Sequence, residues 1–236
     1  MKKFLIFIIV INSAITADDK VVLVGEQLTY TASFNYVPAG IAELNVVGVE
    51  KLMGNRAYHV RYQAKTKPVA DKLFKIRDQI DTWIDVNEMF TYRQTKDISE
   101  GKYSYNSDTW FNYTDSIAVN GKDTTKLSGF VRDPYSLFYY LRSIELPVDS
   151  ILTFTTYDRK KLTTFQMRVG NKERISVPAG KYDCIHVKPY NKDSTLFKNK
   201  GEMDLWFSQD DKRIPVQIIV KLKYGVLTLK LQSVSY

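Results

Sequence analysis

Apolar and polar residues alternate with a period of two along most of this chain. Leu28, Tyr30, Ala32 and Phe34 alternate with Thr29, Thr31, Ser33 and Asn35, and Tyr58, Val60, Tyr62 and Ala64 alternate with His59, Arg61, Gln63 and Lys65. Successive side chains of a strand point to opposite faces, so each run has one apolar and one polar face. That is the pattern of an antiparallel sheet that packs on one side and meets water on the other. Turn chemistry separates the runs at Pro38-Ala39-Gly40, Gly54-Asn55, Asn120-Gly121, Asp158-Arg159-Lys160-Lys161 and Gly225. Asn-Gly is the strongest of these hairpin signals, because both residues tolerate positive φ. The spacing predicts roughly a dozen strands. The expected fold class is mostly β: a strongly curved antiparallel sheet, open barrel or sandwich-like, forming a single domain over residues 18–236.

One segment breaks the rhythm. Asp133 is an N-cap residue followed by Pro134 at the first helical position. Leu137, Tyr140 and Leu141 then share one helical face, and Arg142 suits the negative C-terminal end. This predicts a short helix near 133–142 that plugs an end or the concave face of the sheet. A second short helix is read over Val69–Phe74.

The N-terminus has the layout of a secretory signal peptide. Met1-Lys2-Lys3 precedes the apolar run Phe4–Ile11, small residues follow at Ser13, Ala14, Thr16 and Ala17, and charge resumes at Asp18. The run is too short to span a bilayer as a helix, which takes about 20 residues. Residues 1–17 are therefore expected to be a leader cleaved near Ala14–Ala17. The mature chain is then exported, to the periplasm in the first instance, with the cell surface or the medium as alternatives, and it does not span the membrane. With no cysteine near the boundary, N-terminal lipid attachment through cysteine is closed. The only cysteine, Cys184, cannot form an internal disulfide and reads as a small buried hydrophobe.

Net charge is +8, or +6 once Lys2 and Lys3 leave with the leader. The lysines are scattered, which fits long-range attraction to anionic lipid or polysaccharide better than a nucleic-acid footprint. The 16 Tyr, 12 Phe and 3 Trp supply enough buriable surface to close a core without disulfides, and tyrosine suits faces between core and water or lining a groove.

No catalytic, cofactor or metal residue is assigned. His59 and His186 lie far apart, each without a second ligand at metal-binding spacing, and read as structural. In the strand 76–85, Asp81, Trp83 and Asp85 share one face while Asp78 stands with Ile76, Ile80 and Ile84 on the other. An inward carboxylate needs a partner, and Arg132 or Arg142 is expected to supply it, as a structural ion pair in preference to a catalytic acid. Trp206–Val216 reads as strand, polar turn, strand, with Asp210 suited to the turn and able to pair with Arg213. Ser208 lacks the glycine-flanked elbow of a hydrolase nucleophile. Val37-Pro38-Ala39-Gly40 recurs as Val177-Pro178-Ala179-Gly180, read as one turn type used twice. The candidate structural or ligand-facing residues are thus Asp78, Trp83, Arg132, Asp133, Tyr140, Arg142, Trp206, Asp210 and Arg213.

Taken in order, Gly25–Tyr30, Pro38-Ala39-Gly40, Arg77-Asp78, Arg132–Arg142, Val177–Gly180 and Trp206–Val216 resemble the exported bacterial family known as domain of unknown function 3108, over nearly the whole mature chain. The resemblance implies fold and compartment, and no activity. The implied architecture is similar to the curved sheets of periplasmic lipoprotein carriers of the LolA and LolB kind. The expected role is a non-catalytic binding module for a lipid, an acyl chain or a hydrophobic partner segment. The alternative is a structural or protein-interaction component of the envelope with a filled core. A coordinate set decides between them by showing whether the concave face encloses a cavity.

Overall fold

A computed structural model describes residues 22–190 and 202–236. The segment read as a signal peptide lies outside the described residues. Among the described residues fourteen strands form a single antiparallel sheet. Turns fall at or beside Gly54, Gly121, Arg159-Lys160 and Gly225 as expected, but the first turn is Asn35-Tyr36 and Pro38-Ala39-Gly40 lies inside a strand. In chain order they are β1 (Gln27–Phe34), β2 (Val37–Leu52), β3 (Asn55–Thr66), β4 (Ile76–Asp85), β5 (Thr91–Glu100), β6 (Tyr103–Asn112), β7 (Ile117–Asn120), β8 (Asp123–Lys126), β9 (Ile151–Asp158), β10 (Lys161–Val177), β11 (Gly180–Tyr190), β12 (Glu202–Ser208), β13 (Pro215–Leu222) and β14 (Gly225–Ser235). The order across the sheet is β8-β7-β6-β5-β4-β3-β2-β1-β14-β13-β12-β11-β10-β9. Consecutive strands pair throughout except β8 and β9, which are the two edges, and β1 pairs with β14 to join the two halves. The sheet curls until its edges approach without a continuous ladder between them. Val131 accepts from the Thr91 amide, and Arg132 accepts from the Tyr157 amide, bridging β5 to β9. Lys96 pairs with Asp158, and Lys160 with Asp123, elsewhere along the gap.

Two helices interrupt the sheet. The stretch read as Val69–Phe74 forms only one turn, α1 (Pro68–Asp71), because Pro68 starts it but Val69, Leu73 and Phe74 stay exposed, with nothing to pack against. The second, α2 (Pro134–Ser143), lies in the concavity as expected and is pinned at both ends. At its start Asp133 accepts from the Tyr135 amide at 2.8 Å and the Ser136 amide at 3.4 Å, as an N-cap does. The other Asp133 oxygen accepts from the hydroxyls of Thr82 in β4 (2.6 Å) and Thr91 in β5 (2.7 Å). At its end Arg142 makes a two-pronged ion pair with Glu26, both bonds 2.7 Å, and donates from Nε to the Lys212 carbonyl at 3.0 Å. Both charged side chains are almost fully buried. The helix therefore bolts β4–β5 to the entry of β1 and to the loop before β13.

The two halves of the sheet repeat one another. In β2–β4, His59 stacks on Trp83 (centroids 4.5 Å apart) and meets the Asp81 carboxylate, while the Trp83 indole donates to Glu50. In β10–β12, His186 stacks on Trp206 (4.8 Å), meets Asp204, and the Trp206 indole donates to Glu173. Register matches as well: Glu50 lies opposite Ala57 and Glu173 opposite Cys184, each two residues before the histidine. Each long hairpin also carries a bulge shortly before its glutamate. The recurring Val-Pro-Ala-Gly is not this repeat, and it is not one turn used twice. Val37–Gly40 is the first part of β2, where Gly40 is required because a Cβ would lie 2.4 Å from the Lys65 carbonyl oxygen. Val177–Gly180 is itself the hairpin turn between β10 and β11, with Gly180 at φ +137°.

Candidate functional site

The concave face is unevenly filled. In the first half, Leu28, Leu44, Val46, Tyr58, Val60 and Ile84 pack with Tyr139 of α2 into the main core. In the second, Leu137 and Leu141 of α2 pack on Phe154, Phe165, Met167, Leu205 and Phe207. Between that side of α2 and strands β9–β13 a cavity of about 570 Å³ remains, within the roughly 300–1,000 Å³ of small-molecule sites. Leu137, Phe138 and Leu141 form one wall, and Phe165, Met167, Met203, Leu205 and Leu222 the other. Polar groups gather at one side of it: Thr156, Asp158, Arg159, Lys161 and Thr163.

A smaller chamber of about 240 Å³ lies over the first half and shares Pro134, Asp158 and Arg159 with the larger one. The internal repeat relates their linings. Tyr62 and Pro189 each stand three residues after the histidine, and Ile80 and Met203 three before the tryptophan. The equivalent positions have diverged in chemistry: Lys96 pairs with Ile80 across the ladder where Val220 pairs with Met203. The smaller chamber is lined by Tyr62, Asp78, Lys96, Glu100, Tyr105 and Tyr135 and is polar.

Asp78 therefore faces the concavity as its place among isoleucines implied, but its expected partner is wrong. Arg132 lies flat on the Tyr140 ring, 3.5 Å from its centroid, and donates to the Glu88 carbonyl. Arg142 is committed to Glu26. Asp78 instead accepts from the Ser99 amide at 3.0 Å. Burial raises its pKa to about 6 against the lowering effect of that amide, with the neighbouring Glu100 adding to the rise. On the opposite face of β4, Asp81 is driven the other way. Burial pushes it up, but bonds from His59, Arg61 and Gln79 outweigh this and hold it at about 2.

The Asp210–Arg213 ion pair is also replaced. One Asp210 oxygen accepts from the Ser208 hydroxyl and from the amides of Lys212 and Arg213, locking the turn, while the Arg213 guanidinium donates to the Ile144 carbonyl just past α2. Burial raises the Cys184 thiol to about 12, so it is a packed apolar group and not a nucleophile. Trp83 packs in a separate cluster with Leu52, Phe90 and Tyr92, whereas Trp206 belongs to the main core cluster that includes Tyr139 of α2.

None of the nine candidate residues lines the larger cavity. Its lining comes from the neighbours of Tyr140 on α2 and from ordinary alternating positions such as Phe165, Met167 and Met203. Nothing in a strand pattern distinguishes an apolar residue facing a void from one facing packed atoms. Among the described residues no helix is long and apolar enough to cross a membrane.

Several solved structures are similar. A β-barrel-like protein of the domain of unknown function DUF1849 from Brucella abortus superposes with a TM-score of 0.60 at 10% identity, over 90% of this chain and 98% of that one. A candidate lipoprotein from Parabacteroides distasonis has a TM-score of 0.41 at 12% identity, over 90% and 96% of the two chains. A candidate exported protein with a YmcC-like fold from Bacteroides fragilis has a TM-score of 0.39 at 10% identity, over 91% and 97%. The first of these shares the fold. None of the three is described as a lipoprotein carrier, so the expected likeness to such carriers, an analogy of architecture, is not shown by these structures. No curated protein matches the chain. The family resemblance carried by the helix and the Trp206–Val216 segment holds: the model of DUF3108, described as a protein of unknown function, matches residues 29–232, and the chain belongs to that family.

Proposed function

We propose that this protein is an exported, non-catalytic binding module that holds an apolar chain, such as the acyl tail of a lipid, between α2 and strands β9–β13. The observation that supports this is the cavity of about 570 Å³, walled by Leu137, Phe138, Leu141, Phe165, Met167 and Leu205. Burying apolar surface there stabilises a ligand by about 25 cal/mol per Å². The polar residues Asp158, Arg159 and Lys161 give a head group a place at the edge of the same cavity. Asp78, Lys96 and Glu100 line the adjacent chamber, where Lys96 is paired with Asp158. The leader-like N-terminus supports export, with the periplasm as the first compartment.

The test is titration of the mature protein with a fluorescent fatty acid, alongside native mass spectrometry of protein purified without detergent. Binding is expected to fall by at least about tenfold in Met203→Trp, which fills the cavity with a larger side chain. Thr163→Trp, at an exposed position of the same lining, serves as the second variant and is expected to lower binding in the same direction. A wild-type protein that binds no acyl probe and carries no lipid refutes the reading. So does a Met203→Trp variant that folds and binds unchanged. Co-purification with an envelope protein in place of lipid selects the structural alternative.

A further inference from the structure

In an up-and-down sheet, every connection from an odd to an even strand emerges at the same end. At this end the described connections are Asn35-Tyr36, the α1 loop, Gly101-Lys102, Gly121-Lys122, Arg159-Lys160 and Lys223-Tyr224. Four of them form a continuous arc. The Asn35 side chain accepts from the Val226 amide, linking the β13–β14 turn to the β1–β2 turn. The Lys67 amide donates to the Ala39 carbonyl, linking that turn to the α1 loop. The Gly101 amide donates to the Lys75 carbonyl, linking the α1 loop to the β5–β6 turn.

Along this arc large apolar side chains stand in water. Tyr36 is 93% exposed, Leu73 91%, Val69 81% and Tyr224 80%, and Phe74 is more than half exposed. A turn needs none of these residues, since polar and small residues make turns better. Contiguous exposed apolar surface of this kind marks an interaction site. Interleaved with it are Lys67, Lys72, Lys75, Lys102 and Lys223, all exposed and without an ion pair among the described residues. Against these five lysines stand Asp71, which is already paired with Arg77, and Glu100, which precedes Gly101 and turns into the smaller chamber. Leu222, which lines the large cavity, is itself exposed beside Tyr224 on this rim.

We propose that this rim is a docking surface for an anionic lipid bilayer. The aromatic and aliphatic tips enter the headgroup boundary, and the lysines meet lipid phosphates. Charge decides for lipid over a protein partner. A surface of apolar tips ringed by unpaired lysines matches a negatively charged interface with an apolar layer beneath it. A bare protein-binding patch has its charges at a rim and its aromatics at a centre. Each lysine close to an anionic leaflet strengthens binding on the order of fivefold. The docked orientation puts the Leu222 side of the cavity next to the lipid. The proposal concerns the rim and stands whatever the cavity holds.

The test is flotation of the mature protein with phosphatidylcholine vesicles, with and without phosphatidylglycerol. The protein is expected to float with the anionic vesicles, and less so as salt is raised. Tyr36→Ser with Leu73→Ser, and separately Lys67→Glu with Lys72→Glu and Lys75→Glu, are expected to lower the bound fraction by about tenfold or more. All five positions are exposed, and an unchanged urea midpoint shows that the variants fold. The proposal is overturned if the wild type stays with the soluble fraction, or if both variants float as it does. It is also overturned if the substitutions instead dissolve a self-associated species that never binds vesicles. The fluorescent-probe titration is read without vesicles, so failure of the docking surface leaves the cavity reading independently measurable, and the reverse.

Discussion

Three carboxylates show how neighbours decide what a charge does. Glu26 and Arg142 are buried together with two parallel hydrogen bonds, so removing one partner strands the other in a dry site. Glu26→Gln is expected to cost about 3–5 kcal/mol, and Glu26→Leu combined with Arg142→Met to recover much of it, read from urea unfolding midpoints. Asp78 and Asp81 lie on opposite faces of one strand and titrate with opposite sign. The Asp78 pKa is raised to about 6, so its folded form holds a proton that the unfolded chain gives up. Its stabilisation is complete below about pH 4 and is lost as pH rises through 6. Asp81, held at about 2, stabilises above the ordinary carboxylate range and loses that contribution as pH falls toward 2. Asp78→Asn is therefore expected to gain stability over the wild type at pH 8 and to lose the advantage near pH 4. Asp81→Asn is expected to be destabilised at pH 7, with the gap closing in acid. Urea titrations across pH measure both.

Helix α2 decides how the concavity is divided. Its residues pack on both halves, but its N-cap is tied to β4 and β5 through Asp133, Thr82 and Thr91. Asp133→Ala removes a helix cap and takes from Thr82 and Thr91 the charged acceptor they share, leaving Thr82 the Arg93 carbonyl at 3.4 Å and Thr91 the Ser136 hydroxyl. A loss of about 2–4 kcal/mol is expected by chemical denaturation, with the cap accounting for about 1 of it. Cavity binding should weaken as well, because Leu137 and Phe138 lie just past that cap. The element was readable in advance because its signals are local: Asp, Pro and an apolar stripe within ten residues. The paired glutamate–histidine–aspartate–tryptophan clusters were not. Each spreads over three strands, and the masking copy of Val-Pro-Ala-Gly offered a closer but unrelated sequence match. Asp81 and Trp83 two apart, like Asp204 and Trp206, were the only local trace of the repeat.

At the scale of the whole molecule, the ladders are longest between β2 and β3 and between β10 and β11, and short at the β8 edge. Strands β7 and β8 have four residues each, and β8 has no ladder on its outer side. Hydrogen exchange is expected to be slowest in β1–β4 and β11–β14 and fastest in β7–β8, since marginal edges open without global unfolding. Equal protection across all strands would contradict an open sheet and point to a closed barrel. The same openness accounts for the large cavity: α2 is one short helix inside a fourteen-stranded sheet, too small to fill both halves.

Local spacing in the chain was enough to determine strands, most of the turns (though not Pro38-Ala39-Gly40), the capped helix and the inward side of Asp78, because each depends on residues within a turn or two of one another. Tertiary structure alone decided which cation meets which carboxylate, so that Arg132 went to Tyr140 and Glu88, Arg142 to Glu26, and Asp78 to a backbone amide. It alone separated packed apolar positions from the ones around the cavity, and gathered exposed residues from four distant turns into one rim. These are questions of which surfaces a curved sheet brings together. A period-two pattern states that a side chain faces inward but carries no record of what lies opposite.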